Sequence, residues 1–404
     1  MRSDELLNLT IVLIAAFCAP ILHHGIRRTH VPAVVVEIVV GIVIGPDVLG
    51  WVMADDTVRV VSTIGLSVLL YLAGNEIEVR ALRGSVGRSA LIGFVASLVL
   101  ALATGVAFDA AGVVHQPLFI AVVLTATSLG IVAPVLRDAG ATSGTVGQFV
   151  LAGAAIGDGA AIILLSLFFS KDSSTTSTRV VLLAAFAVFV AAFAFVGSRH
   201  TTRMPLGNIL TKLQDTNAQI RVRGTMVIVL AFAVLANRLG LEAILGSFVA
   251  GVVINALDGR AAETHPLLKV KLDSIAFGFL VPVFFVTSGI TFDLSALLDD
   301  PSRLGPVPLF VLALLVVRGL PALLFRATLG WRGSIAAGLL LATSLPFIVA
   351  ATQIGVAAGM ITPAIAAAMV AAGLVSALVF PIVGAALLPA APNVRTADAA
   401  PVES

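Results

Sequence analysis

The sequence predicts an all-α, polytopic membrane protein of about thirteen transmembrane helices, arranged as two inverted repeats. Three observations predict this class. Of the 404 residues, 59% are hydrophobic and 11% are charged, whereas a soluble domain carries about 25% charged residues. The apolar runs are about 20 residues long, which is the length of a membrane-spanning helix. The tetrapeptide Ala-Thr-Ser-Leu occurs twice, at 126–129 and 342–345.

Thirteen apolar runs follow one another along the chain. They cover residues 6–25, 31–50, 58–75, 89–110, 116–136, 146–170, 178–197, 222–238, 241–257, 272–292, 307–327, 333–357 and 360–388. We interpret the first as a membrane helix rather than a cleaved signal peptide, because basic residues follow it in place of a small-residue cleavage site. Residues 1–388 then form a single transmembrane domain. Residues 389–404 are rich in Ala and Pro, and we expect a disordered cytoplasmic tail there.

Positive charges predict the orientation. Of the 24 Lys and Arg residues, 17 lie on one side of the predicted membrane, 6 lie on the other, and Arg318 lies inside a span. Loops rich in Lys and Arg remain in the cytoplasm. We therefore expect the N-terminus outside and the C-terminus in the cytoplasm.

The two copies of Ala-Thr-Ser-Leu indicate an internal repeat. Six spans (about 6–170), a linker helix (178–197) and six more spans (222–388) place the copies in corresponding spans, and the single linker crossing inverts the second half. Each copy lies mid-span and is followed at once by Gly130 or Pro346, where a transmembrane helix is easily broken. Two crossed discontinuous helices are the best sequence sign of a transporter's binding site. The alternative is two ordinary helices that contain Ser and Thr.

Asp158 lies near the centre of the long uncharged run 146–170. A carboxylate at that depth costs roughly 2.5–3.5 kcal/mol on insertion scales. Its helical neighbours at three and four residues offer no polar side chain. We therefore interpret Asp158 as a functional carboxylate, at which a proton and a small cation compete. A buried Asp satisfied by neighbouring helices is the alternative.

Arg318 is the single basic residue deep inside a predicted span. It must meet a carboxylate or exposed carbonyl groups, or else extend its side chain to the membrane interface. We expect it to balance the ends of the broken helices and to pair with Asp158 when no ion is bound. Because an arginine stays protonated, it is a poor carrier of the transported proton.

Polar groups at the predicted breaks are the candidate ligands of a cation. Hydroxyl and carbonyl oxygens suit Na⁺ or K⁺. The candidate ligands are the oxygens of Thr127, Ser128, Thr343 and Ser344, and Thr125 and Pro346 are further candidates for the broken helices or the cavity. Glu37, in the second span, is a further candidate for the cavity wall, or alternatively satisfies a hydrogen bond between helices.

Four segments resemble the monovalent cation:proton antiporter family, in its Kef/NapA-type branch. They are VPAVVVEIVVGIVIGPDVLG, LLYLAGNEIEVRALR, TATSLGIVAPVLRDAG and FLVPVFFVTSGITFDL. The resemblance covers about residues 6–388. It implies the NhaA/NapA-like fold, a homodimer in the plasma membrane, and a core domain that moves against a dimerisation domain.

The resemblance also assigns residues. It implies that Asp158 is the shared proton and cation site, that Thr127 and Ser128 are the hydroxyls of the first break, and that Arg318 occupies a position held by Lys or Arg. Gly157 departs from the Asp, Asn or Gln that the family has before this carboxylate. A single carboxylate favours one-for-one, electroneutral exchange. We expect no attached nucleotide-binding regulatory domain after the last span.

Other classes fit less well. An intramembrane aspartyl protease needs two facing carboxylates, and the sequence has no second mid-span aspartate. We therefore predict that the protein is not an enzyme and has no cofactor. The basic residues are scattered between apolar runs, which argues against nucleic-acid binding, and the lone Cys18 excludes an internal disulfide. Membrane lipid is the expected surrounding. A Na⁺-coupled carrier of an organic solute with the same fold remains as the alternative.

Overall fold

A computed structural model of the protein describes residues 3–25, 32–77, 84–169, 176–200, 219–258, 266–298 and 304–388. These residues are 85% helical and contain no strand. The predicted tail, 389–404, lies outside them, and so do residues 201–218, which follow the linker helix. The all-α membrane class is therefore confirmed.

The helices are numbered in chain order. The first half contains α1 (Ser3–Gly25), α2 (Ala33–Ile44), α3 (Asp56–Asn75), α4 (Ser85–Ala110), α5 (Pro117–Leu124), α6 (Leu129–Asp138) and α7 (Thr145–Phe169). Helix α8 (Thr176–His200) corresponds to the predicted linker. The second half contains α9 (Ile220–Arg238), α10 (Ala243–Asp258), α11 (Pro266–Ile275), α12 (Val281–Ile290), α13 (Leu294–Leu298), α14 (Pro306–Leu314), α15 (Arg326–Leu341), α16 (Pro346–Ala357) and α17 (Pro363–Leu387).

Each of the thirteen predicted spans falls on helical residues, but the lengths differ from the prediction. Nine helices of the described ranges are long and apolar enough to cross a membrane, and three more apolar helices are shorter. One of the nine runs, Pro306–Ala357, covers two predicted spans. The second span was predicted at 31–50, yet α2 ends at Ile44, because the chain turns at Gly45-Pro46 and reaches a positive φ of 61° at Gly50. The number of crossings stays a prediction.

The helices pack as two bundles. The scaffold bundle consists of α1–α3 and α9–α12, and its largest contacts join α3 to α10, α9 to α10 and α2 to α12. The crossing bundle consists of α4–α7 and α14–α17, and its largest contacts join α4 to α5 and α15 to α17. Contacts between the bundles are few and are made mainly by α7 and α17. Each bundle therefore takes three predicted spans from each half of the chain.

Glycines set the closest helix contacts of the scaffold bundle, and two of these contacts have a glycine on both helices. A methyl group on Gly41 of α2 would collide with the backbone oxygen of Val286 in α12. In the same way, a methyl group on Gly251 of α10 would collide with the backbone oxygen of Tyr71 in α3. Gly289 and Gly74 make the reciprocal contacts with Ile38 and Phe248. The inverted repeat stays a prediction, and these paired contacts support it.

Substitution of Gly251 by Ala is expected to destabilise the scaffold bundle. The added methyl group meets backbone atoms, which cannot move aside as a side chain can, and such overpacking costs about 1–3 kcal/mol. Gly224 of α9 is the control, because a methyl group there meets no atom within 4 Å. Thermal unfolding in detergent should show a lower midpoint for Gly251→Ala than for the unsubstituted protein, and no decrease in the midpoint for Gly224→Ala. Equal midpoints for the two variants would contradict the proposed close contact.

Candidate functional site

Both predicted helix breaks are present, and they meet. Helix α5 ends at Leu124 and α6 begins at Leu129, while α15 ends at Leu341 and α16 begins at Pro346. The second break ends where Pro346, which has no backbone N–H, occupies the first turn of α16. The backbone N–H of Ser128 donates a hydrogen bond to the carbonyl oxygen of Thr343 at 2.7 Å. The two unwound segments are therefore joined directly.

Asp158 lies at this crossing. It is in the middle of α7, and only 8% of its surface is exposed. Its Oδ1 accepts a hydrogen bond from the backbone N–H of Thr127 at 2.9 Å, and its Oδ2 accepts one from the backbone N–H of Leu129 at 3.3 Å. Leu129 is the first residue of α6, so the carboxylate faces the positive end of that half-helix. The break thus supplies the polar partners that α7 itself lacks.

Arg318 is buried beside the first break. It belongs to a π-helical turn, Leu315–Gly319, and is 2% exposed, so its side chain does not extend to an interface. Its Nε and Nη2 donate to Oγ1 of Thr127, and Nη2 also donates to the carbonyl oxygen of Gly153 at 3.1 Å. A longer bond of 3.5 Å joins Nη1 to Oγ of Ser97. The guanidinium group is therefore held by neutral oxygens.

The expected direct pair between Arg318 and Asp158 is not formed in this structure. Among the described residues, Asp158 receives its hydrogen bonds from backbone amides, and Arg318 donates to hydroxyl and carbonyl oxygens. Thr127 contacts both, the carboxylate through its N–H and the guanidinium through its hydroxyl. The two charges still attract each other electrostatically. Thr127 is therefore the residue that links them.

The position of Arg318 explains why the residue before Asp158, Gly157, is a glycine. A methyl group on Gly157 would lie 2.6 Å from Nη2 of Arg318 and 3.1 Å from the carbonyl oxygen of Thr125. The guanidinium group occupies the space that a larger side chain before Asp158 would need. This contact gives a physical reason for the glycine at a position where the sequence resemblance implies Asp, Asn or Gln.

The hydroxyl groups at the breaks divide into engaged and free ones. Thr127 donates to the carbonyl oxygen of Leu341 at 2.7 Å, in addition to accepting from Arg318. Thr125 and Thr343 donate to carbonyl oxygens of their own helices, those of Val122 and Leu339. In contrast, the buried hydroxyl oxygens of Ser128 and Ser344 have no hydrogen-bond partner within the described ranges of the chain. Both serines therefore have an available oxygen, and Ser128 is the one that lies between the two residues whose amides bind Asp158.

Glu37 is separate from this arrangement. It is 5% exposed on α2, a helix of the scaffold bundle that packs mainly on α1 and α12. It makes no hydrogen bond with any residue in the part of the chain that the structure describes. The alternative role, a hydrogen bond between helices, is thus not seen, and its place in a cavity wall stays a prediction.

Several polar contacts were missed from the sequence. Ser97 meets Arg318, Ser376 of α17 contacts the second break, and Gln353 of α16 donates to Ser288 of α12. Serine and glutamine residues within apolar helices give no distinct signal. The repeat, however, gives a signal close to Ser376. Gly373 follows Gly157 by the same 216 residues that separate the two tetrapeptides, and Ser376 lies three residues after Gly373.

A buried carboxylate bound by the amides of a broken helix, where a second broken helix crosses it, is typical of secondary transporters. The chain belongs to the family described as "Sodium/hydrogen exchanger, transmembrane", which matches residues 12–389. This finding confirms the family resemblance expected from the sequence.

Two relatives carry names that agree with the assignment, and one solved structure has a similar fold. The chain is 29% identical over 397 residues to "Putative Na(+)/H(+) antiporter YjbQ" of Bacillus subtilis, covering 95% of this chain and 63% of that protein. It is 29% identical over 313 residues to "Na(+)/H(+)-K(+) antiporter GerN" of Bacillus cereus, covering 74% and 73%. The structure of the sodium proton antiporter MjNhaP1 from Methanocaldococcus jannaschii matches with a TM-score of 0.68 and 18% identity, covering 95% of this chain and 97% of that one. That last likeness concerns the fold.

Proposed function

We propose that the protein is a secondary active antiporter that exchanges protons for a monovalent cation, Na⁺ or K⁺, by alternating access. The observation that carries this proposal is the position of Asp158, a nearly buried carboxylate held by two backbone amides at the crossing of the broken helices. The names of the relatives, which include Na⁺, K⁺ and H⁺, support the choice of ions.

The proposed site takes either a proton or a cation. The Asp158 carboxylate supplies the single negative charge, and the free hydroxyl of Ser128 supplies a neutral oxygen. Oxygen atoms of this kind are the ligands that hard cations prefer. Because a bound proton and a bound cation neutralise the same charge, one leaves when the other binds. Exchange is then one for one and electroneutral.

Arg318 serves as a fixed positive charge rather than as a carrier. Its hydrogen bonds to Thr127 hold the first break in position, and its charge offsets that of Asp158 when the site is empty. Thr127 acts through its backbone amide, since its hydroxyl is already engaged. Thr125, Thr343, Ser344 and Pro346 shape the two breaks, and Glu37 stays a candidate for the cavity wall.

The proposed setting is the plasma membrane, with the N-terminus outside, the C-terminus in the cytoplasm and lipid around the apolar helices. The family resemblance implies a homodimer. The few contacts between the scaffold bundle and the crossing bundle support relative movement of the two. Such movement around a fixed site is how alternating access is achieved in this class of transporter.

Two hydrogen bonds between the bundles support a site that is closed toward the outside. Nε2 of Gln353 donates to Oγ of Ser288 at 3.3 Å, and the backbone N–H of Glu242 donates to Oγ of Ser166 at 3.0 Å. With the proposed topology, all four residues lie between Asp158 and the outside. These bonds must break when the site opens outward.

The variant Gln353→Leu is expected to favour the outward-open state. The loss of one hydrogen bond, about 0.5–1.5 kcal/mol, should lower the apparent KM for externally added cation by about two- to tenfold. Gln148→Leu is the control, because Gln148 is exposed on α7 and its side chain makes no hydrogen bond to the residues that the structure describes. The measurement is exchange in right-side-out vesicles. An unchanged external KM in Gln353→Leu would refute the assignment of the closed side.

The proposed function is tested with purified protein in vesicles that have an acid interior and contain a pH-sensitive dye. Addition of Na⁺, K⁺ or Li⁺ outside should make the interior more alkaline for at least one of them, and choline should have no effect. An imposed membrane potential should leave the rate unchanged. If no cation drives proton efflux, the protein is not this antiporter, and a rate that follows the potential would contradict one-for-one exchange.

A further inference from the structure

Ser376 of α17 makes a compact set of hydrogen bonds at the second break. Its side chain is fully buried. Its Oγ accepts from the backbone N–H of Ser344 at 3.2 Å, and lies 3.0 Å from the carbonyl oxygen of Ser344 and 2.8 Å from that of Gly373, to either of which it donates. Unwound backbone inside a membrane requires such partners, because no water is present to replace them.

The peptide unit held by Ser376 is the one that holds the first break. The N–H of Ser344 and the C=O of Thr343 belong to the same planar peptide group. The N–H of this group donates to Ser376, while its C=O accepts from the N–H of Ser128 at 2.7 Å. A rotation of that peptide plane would therefore displace both contacts together.

Ser128 connects the Thr343–Ser344 peptide group to the carboxylate of Asp158. The residues on either side of it, Thr127 and Leu129, provide the two amides that bind Asp158. A continuous series of hydrogen bonds and peptide groups thus runs from Ser376 through the second break to Asp158. Ser376 has no contact with the carboxylate itself.

The two breaks are held in a corresponding way. Asp158 of α7 receives the amides of the first break, and Ser376 of α17 receives the amide of the second. In each case a glycine, Gly157 or Gly373, lets the helix approach a backbone oxygen of the break, that of Thr125 or that of Ser344. One position is charged and the other is neutral, which fits a single ion site.

We propose that Ser376 is a positioning residue of the ion site: by fixing the Thr343–Ser344 peptide it sets the affinity of the Asp158 site for its cation. This inference rests on the proposed function. Because Ser376 acts through backbone geometry, its loss changes cation affinity and leaves the turnover of the filled carrier nearly unchanged.

The test is cation-dependent proton exchange in vesicles, with the apparent KM and the maximal rate measured separately. Ser376→Ala should raise the apparent KM by about three- to tenfold, which corresponds to one lost hydrogen bond, with a maximal rate within about twofold. Ser376→Thr should restore the KM, because the threonine hydroxyl oxygen can still accept from the N–H of Ser344 while it donates to the carbonyl oxygen of Gly373, three residues earlier. Ser376→Cys keeps the volume with weaker hydrogen bonding, and should resemble the alanine variant.

Ser334→Ala is the matched control. Ser334 of α15 is equally buried, but its hydroxyl oxygen has no hydrogen-bond partner among the residues described, so the KM of Ser334→Ala should equal that of the unsubstituted protein. A wild-type KM in both Ser376→Ala and Ser376→Cys, or a lower maximal rate at unchanged KM, would overturn the inference. If the unsubstituted chain exchanges ions and needs Asp158, such a result removes only the role of Ser376. If the unsubstituted chain does not exchange ions, the proposed function itself fails.

Discussion

Asp158→Asn is expected to abolish cation-dependent proton exchange. The amide keeps the shape of the side chain and can still accept one of the two amide hydrogen bonds. It has no negative charge, however, so a cation in the site would be buried without a partner, at a cost of about 3–5 kcal/mol. Since about 1.4 kcal/mol is tenfold, exchange should fall at least about 100-fold. The measurement is dye-reported alkalinisation of acid-loaded vesicles.

The control for this prediction is Asp109→Asn. Asp109 lies at the end of α4, where its exposed carboxylate is 3.7 Å from the imidazole of His115. Loss of that solvated charge should leave the exchange rate unchanged. Wild-type exchange by Asp158→Asn would show that the carboxylate at the crossing is not the carrier site.

Arg318→Ala is expected to impair both stability and exchange. The substitution removes the donors to Thr127 and Gly153 and leaves Asp158 without its nearby positive charge. Removing one charge from a buried set of this kind costs about 3–5 kcal/mol. Thermal unfolding in detergent should show a clearly lower midpoint, and the folded fraction should exchange slowly. Arg318→Lys should recover the positive charge but not the paired hydrogen bonds that Nε and Nη2 of Arg318 donate to Thr127.

Arg326→Ala provides the comparison for Arg318. Arg326 is exposed at the start of α15, and surface charges of this kind contribute about 0–1 kcal/mol. The unfolding midpoint and the exchange rate of Arg326→Ala should remain close to those of the unsubstituted protein. Equal, negligible effects of the two substitutions would remove Arg318 from the mechanism.

The sequence was sufficient to predict the class of fold and the residues that meet at its centre. Long apolar runs have few structural solutions in a membrane, so helices follow from composition. The breaks followed from hydroxyl residues next to Gly130 and Pro346, and both are present. Asp158 and Arg318 were found because a charge in an apolar span is rare.

The detailed contacts could not be predicted, because they depend on which side chains the tertiary packing brings together. Thr127 and Ser128 are adjacent and chemically similar, yet the hydroxyl of Thr127 is engaged by Arg318 and Leu341, and that of Ser128 is free. The expected pair of Arg318 and Asp158 is replaced by contacts through Thr127 for the same reason. Ser376 looked like any serine in an apolar helix, and only its distance from the second break gives it a role.

The central claim is that Asp158 holds either a proton or a cation. It is tested most directly by counting the protons that are released when a cation binds to the detergent-solubilised protein, in weak buffer with a pH-sensitive dye. Between acid and neutral pH, we expect a release that approaches one proton for each cation bound, and no release in Asp158→Asn. Cation binding of undiminished affinity without proton release, at a pH where the carboxyl group is protonated, would contradict it.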